Sequence, residues 1–259
     1  MHVRFARVSS LAVLSITSCI SLPAHADPVL VRYPQGSSHG YLALRTLEGT
    51  LIATGEETQT VRGDRVTSRL IFHFRDGSVD DDVTVFTQRR VFKLIRDHHI
   101  QRGPTFPKPI DFLIDGVTGQ VTARTGDGKV TEKRFDLPND VSNGLPPNLL
   151  LSILPSVAAT KISYMIPSDK PRLIHLVIKP TDNAPFTVGW LKRKATDYTI
   201  HVELGGVEGV IAPMIGKEPP DYHIWIQSGA PPAFIREEGP LYEGGPIWRM
   251  EAITVQFTR

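Results

Sequence analysis

Apolar and polar positions alternate with a period of two along much of the chain. In Arg65–Phe74, Val66, Leu70, Phe72 and Phe74 share one face, with Thr67, Arg69 and His73 on the other. Arg172–Lys179 sets Ile174, Leu176 and Ile178 on one face, and Thr199–Leu204 sets Ile200, Val202 and Leu204 opposite His201 and Glu203. Such stretches predict half-buried antiparallel strands, each with one face on a core and one toward water. Turn signals punctuate them at Arg75-Asp76-Gly77-Ser78, Asp115-Gly116, Gly126-Asp127-Gly128 and Gly205-Gly206. Further strands are expected around Tyr41–Thr46, Val83–Ile95, Val121–Thr125, Lys129–Phe135, Ile162–Ile166, Phe186–Lys192, Tyr222–Ile226 and Ile247–Phe257.

One segment breaks the alternation. Leu149-Leu150-Leu151-Ser152-Ile153-Leu154 follows Pro146-Pro147 and stops at Pro155. Proline suits a first helical turn and Asp136–Asp140 offers capping side chains, so a helix of about two or three turns is predicted. Being apolar on most sides, it must pack against or inside a sheet. The 21 prolines of the chain argue against long helices. The expected fold is mainly β: a large twisted antiparallel sheet, half-barrel or sandwich, with one short central helix. No linker or fixed-period repeat divides residues 27–259, so one domain is expected.

The start of the chain has a different character. Arg4 and Arg7 precede the short apolar run Leu11–Ile16, Leu22-Pro23 follows, and Ala24-His25-Ala26 has the small-x-small pattern of a signal-peptidase site. Residues 1–26 are expected to be a signal peptide and the processed chain to be exported, periplasmic or secreted. Cys19, the one cysteine, follows Ile16-Thr17-Ser18, which resembles a relaxed lipobox; acylation there would anchor the protein to a membrane instead.

Loss of Arg4 and Arg7 leaves equal numbers of cationic and acidic residues, 27 of each. A neutral chain has no global attraction for nucleic acid, and the basic runs Gln88-Arg89-Arg90 and Leu191-Lys192-Arg193-Lys194 read as solvated strand ends or loops. Nucleic-acid binding is not expected, and neither is a transmembrane segment in the processed chain.

Two passages near the C-terminus carry a resemblance. Glu203-Leu204-Gly205-Gly206-Val207-Glu208-Gly209-Val210-Ile211-Ala212-Pro213-Met214-Ile215-Gly216-Lys217-Glu218-Pro219-Pro220-Asp221 and Phe234-Ile235-Arg236-Glu237-Glu238-Gly239-Pro240-Leu241-Tyr242-Glu243-Gly244-Gly245-Pro246-Ile247-Trp248 resemble a group of uncharacterised exported bacterial β-proteins. More remotely, a meander with a helix near its middle resembles the half-barrel of periplasmic lipoprotein carriers. That resemblance implies a curved sheet wrapped round a helix, with an apolar cavity for acyl chains. It implies no catalytic residues.

Motifs for chemistry are incomplete. Gly216-Lys217 lacks the first glycine and the hydroxyl of a phosphate loop, since Ile211 and Glu218 occupy those places. His98 and His99 are adjacent, so on a strand they point to opposite faces and cannot grip one metal. Asp76–Asp82 departs from a calcium loop and reads as a hairpin turn followed by a solvated strand edge. Glu237 and Glu238 also face opposite ways, and no serine elbow occurs. No cofactor and no metal are expected.

The leading expectation is a non-catalytic envelope protein that holds an apolar, lipid-like ligand in its curved sheet, with Leu70, Phe72, Leu149, Leu150, Ile153 and Trp225 lining the cavity. A filled core with an exposed aromatic patch would favour the alternative, an interaction module that binds an envelope partner. A carboxylate or histidine of perturbed pKa in a cleft would favour a hydrolase whose site is invisible in sequence. Nothing in the chain sets the ligand, the partner or the oligomeric state.

Overall fold

The structure, a computed structural model, describes residues 28–188, 191–204 and 219–253. Its strands are β1 (Ser38–Thr46), β2 (Leu51–Arg62), β3 (Arg65–Phe74), β4 (Val79–Gln88), β5 (Phe92–Arg102), β6 (Ile110–Asp115), β7 (Gln120–Thr125) and β8 (Val130–Arg134). After the helix α1 (Pro146–Leu150) come β9 (Thr160–Met165), β10 (Leu173–Val188), β11 (Leu191–Glu203), β12 (Tyr222–Gln227), β13 (Ala233–Pro240) and β14 (Ile247–Ala252).

All fourteen strands form one unclosed antiparallel sheet, in the order β8-β7-β6-β5-β4-β3-β2-β1-β14-β13-β12-β11-β10-β9. The chain thus makes two meanders, β1 to β8 and β9 to β14. They join where β14 returns to β1, with Leu44 opposite Met250. The expected mainly-β sheet is what the structure shows.

The sheet is strongly curled. Phe86, Leu94, Phe112 and Val121 of the first meander share one buried cluster with Ile162, Leu176, Ile178, Ile200 and Ile224 of the second. Strands so far apart in sheet order can meet only if the sheet bends back on itself, a consequence of accumulated strand twist. A second cluster unites Leu42, Leu44, Ala53, Phe72, Phe74, Phe106 and Met250 around the β1–β14 seam.

The connector between β8 and β9 runs from one edge of the sheet to the other and fills the first cluster. Leu145, Leu149 and Leu150 are each 1% exposed. Its helix has five residues, fewer than the expected two or three turns. The expected caps are used elsewhere: Leu145 sits at the N-cap with no side-chain hydrogen bond, and the Asp140 carboxylate instead accepts from the backbone and hydroxyl of Ser163 on β9 (2.9 and 2.8 Å). Packing, not helix propensity, holds this piece.

Side chains staple the connector to both meanders. Tyr198 of β11 donates to the Ile153 carbonyl (2.7 Å), Asn148 donates to Gln59 of β2 (3.2 Å), and Asn143 pairs both ways with the Met165 backbone. Val141 forms a parallel bridge to Ser163, which covers part of the β9 edge. The opposite edge, β8, is short and mostly exposed, with Glu132, Lys133 and Arg134 along it. Such charged, brief edges resist pairing with other chains.

Several boundaries differ from expectation. Val83–Ile95 is two strands, β4 and β5, separated by a bend at Arg89 and Arg90. Phe186–Lys192 is the far end of the β10–β11 hairpin, not a strand of its own. Three further strands are present: β6, whose Ile110, Phe112 and Ile114 alternate, and β2 and β13, which carry no clear signal in the sequence. Strand β2 turns Gly55, Glu57 and Gln59 to the same face as Ala53, and β13 turns Glu237 inward beside Met250, so neither shows apolar alternation.

Candidate functional site

The six residues expected to line one cavity are not brought together. Leu149, Leu150 and Ile153 lie in the cluster around the connector, at most 7% exposed. Phe72, with Leu70 against it, belongs to the second cluster. Trp225 joins neither; it stacks on His223 (ring centroids 5.7 Å apart) and carries the Arg236 guanidinium 3.9 Å from its ring centre. A pocket between Leu94, Gly116 and Leu137–Val141 measures ≈ 20 Å³, room for about one water. Cys19 and the Gly205–Glu218 passage lie outside the described residues.

Between the two apolar clusters the inward-facing side chains are polar. Strand pairing sets them in rows: Gln59 opposite Ser68 and Ser68 opposite Thr84; Glu57 opposite Leu70 and Leu70 opposite Asp82. On β5 the row continues with Asp97 opposite Thr84, His99 opposite Asp82 and Gln101 opposite Asp80. Asp80, Thr84, Asp97 and Gln101 are buried. The acidic run after the hairpin turn therefore points partly into the molecule. This corrects the expected solvated edge, because β4 begins at Val79 and places Asp80 and Asp82 on the face that Phe86 buries.

Hydrogen bonds organise this belt. The His99 ring nitrogen lies 2.7 Å from Asp80 Oδ1, Thr84 donates to Asp97 Oδ1 (3.0 Å), and Gln101 donates to the Leu241 carbonyl (2.8 Å) across the second cluster. Asp82 Oδ1 is buried without a hydrogen-bond partner. Gly144 of the connector, at φ +65°, presses on the same spot: a Cβ there would stand 1.8 Å from Thr84 Oγ1 and 2.8 Å from Asp97 Oδ1. Only glycine combines that backbone with that proximity.

Burial governs the protonation of the belt. It raises Asp82 well above the ordinary carboxylate range, and the charge of Asp97 raises it further; Asp97 itself is raised by burial. Burial pulls His99 down, but Asp80, then Asp82 and Asp97, hold it up to about 9, so it is an imidazolium at neutral pH. Across the sheet, burial lifts Glu237 to about 7 and Tyr222 to about 12. Tyr164 of β9 is raised by burial and then by Tyr222, Asp97, Asp82 and Glu237.

This arrangement can hold and exchange protons. No group of three His, Cys, Asp or Glu side chains among the described residues has the geometry to hold a metal. His98, on the other face of β5, pairs with Asp111 at 2.8 Å. Glu238 points away from Glu237 and accepts from Arg249 (2.8 Å). Sequence reasoning missed the belt because its members come from separate strands, and its one local sign was the spacing of Asp80, Asp82 and Thr84.

The surface offers a different feature. Strand β10 pairs with β9 only up to Ile178, and β12 pairs with β11 only from Ala195 onward. Pro185–Val188 and Leu191–Lys194 therefore form a two-stranded ribbon with no paired strand on either side among the described residues. At its base the Lys194 carbonyl accepts from the Ser228 backbone (3.1 Å). Pro185, Thr187, Leu191, Lys192, Arg193 and Lys194 in it are exposed.

No family model matches the chain, and no curated protein matches it. Among solved structures it is similar to a β-barrel-like protein of the domain of unknown function DUF1849 from Brucella abortus, at 9% identity. The match covers 88% of this chain and 100% of that chain, with a TM-score of 0.47.

Proposed function

We propose that this protein is an exported, non-catalytic binding module of the bacterial envelope that engages its partner through the β10–β11 ribbon. The observation that carries this reading is the contrast between a filled interior and a projecting, unpaired ribbon. Side chains of the connector occupy the concave face, where a carrier would keep space for acyl chains. Thr84 and Asp97 of the belt lie against Gly144 of the connector, between two apolar clusters. One edge of the sheet is partly covered by Val141 and the other is blunted by charge, which leaves the ribbon as the open element among the described residues.

The test is photo-cross-linking in the native host, with the cross-linker at Thr187 and, as control, at Thr131 on β8 or exposed Val117 in the β6–β7 turn. A discrete adduct confined to Thr187 supports the module. Equal labelling at all three sites sinks it. Native mass spectrometry of the purified protein bears on the lipid-like alternative: a stoichiometric acyl adduct released on denaturation would replace the module reading with the carrier.

A further inference from the structure

Several surface cations are ion-paired: Arg45 with Glu251, Arg69 with Asp81, Lys161 with Glu203 and Arg249 with Glu238, all within 2.9 Å. Lys192, Arg193 and Lys194 are not. They are consecutive, exposed and without an acidic partner among the described residues; the Arg193 guanidinium donates to the Lys192 carbonyl at 3.5 Å. The nearest acids along the ribbon are engaged elsewhere: Asp182 accepts from the Asn183 backbone, and Asp197 lies 3.2 Å from His223.

Register sorts these side chains by face. Phe186 lies opposite Arg193 and Thr187 opposite Lys192, so Phe186, Leu191 and Arg193 share one face while Lys192 and Lys194 take the other. Leu191 is 41% exposed. The ribbon end is thus amphipathic: an aromatic and a leucine on one side, cations on both.

We propose that the end of the β10–β11 ribbon is a contact for an anionic bilayer surface, with the three cations at the headgroups and Phe186 and Leu191 at the acyl boundary. Size decides between a bilayer and an acidic protein. The free ribbon has only four residue pairs, about 13 Å of strand, whereas a stable protein interface covers about 800 Å² on each partner. A bilayer needs no such area, because each cation near an anionic surface contributes and a few apolar side chains complete the hold. This inference rests on the ribbon being the contact element and specifies what it meets.

The experiment is flotation of the processed chain with vesicles of phosphatidylcholine alone or containing phosphatidylglycerol, at low and high salt. Wild type should float with the anionic vesicles only, and high salt should release it. Each cation removed should lower partitioning about fivefold, so K192Q/R193Q/K194Q should lose about a hundredfold. L191S should weaken binding while leaving its salt dependence intact. Matching far-UV circular dichroism shows that the variants are folded. Absence of wild-type flotation, or equal flotation of the triple variant, would each overturn the bilayer assignment. A ribbon-confined cross-link to a protein would then still stand, so this failure is distinct from failure of the module reading.

Discussion

Glu237 shows how a single side chain can be hidden from sequence reading. The sequence sets it and Glu238 on opposite faces, and the pairing of β13 with β14 makes Glu237 the inward one, partly buried opposite Met250. Burial lifts its carboxyl to about 7, so the folded state favours the protonated form. Glu237→Gln keeps that neutral shape at every pH. It should change stability little at pH 5 and raise it by up to about 3 kcal/mol at pH 8, where the wild-type group must lose its proton or hold it against the solvent. Thermal midpoints at the two pH values check this; an equal effect at both would mean the folded carboxyl is already charged. Asp82 is a related case, with a buried Oδ1 that lacks a partner and a second carboxyl, Asp97, against it. Asp82→Asn supplies an amide donor for Asp97 and removes one of two repelling charges. We expect a gain of about 1–2 kcal/mol in urea unfolding at pH 8; a loss of stability would show that the carboxyl serves the fold better than an amide in its place.

At the level of elements, the strands that alternate in sequence are those whose inward faces are mainly apolar. Strands β3, β11 and the first half of β10 are legible for that reason. Strand β2 is not, because the belt requires Glu57 and Gln59 on its inner face, and Phe72 lies over Gly55 so closely that a Cβ there would meet its ring at 2.4 Å. The connector is legible in composition but not in conformation: its leucines announce burial, whereas its length as a helix depends on tertiary staples from Tyr198 and Asn148 that no local pattern encodes. Gly144 joins the connector to the belt and can be tested against a matched glycine. Gly128, in the β7–β8 turn, also has positive φ (84°), but a Cβ added there would meet nothing within 4 Å. Gly128→Ala should cost about 1 kcal/mol, the backbone penalty alone. Gly144→Ala adds the collision with Thr84 and Asp97 and should cost about 3 kcal/mol or more. Chemical denaturation of the two variants gives the comparison; similar losses would show that the connector yields easily at this point.

For the molecule as a whole, the belt sets a direction for stability against pH. Asp82, Asp97, Glu57 and Glu237 all have raised carboxyl pKa values, with burial as the first cause. His99 is raised to about 9 by its acidic neighbours against the pull of burial. In each case folding favours the protonated form, so the stabilisation is complete below the unfolded pKa and disappears as pH rises through the folded one. For Glu237 that window runs from the ordinary carboxyl value of 4.5 to about 7. For His99 it runs from 6.5 to about 9. The groups pulling the other way, Glu48, Asp76, Asp115 and Asp127, are lowered chiefly by hydrogen bonds in turns. Their stabilisation is lost as pH falls through their folded values, but they sit at the surface, where water screens them and the effect is small. The two opposing sets place the stability maximum in mildly acidic solution, around pH 5, with a steady decline toward pH 9. Thermal unfolding from pH 4 to 9 should show this slope. Glu237→Gln should flatten its lower part and His99→Gln its upper part, each leaving the other part in place. A midpoint that stays level or rises between pH 5 and 9 would mean that the belt relaxes and admits water as it ionises. The two apolar clusters would then be coupled more loosely than their packing around a shared polar layer implies.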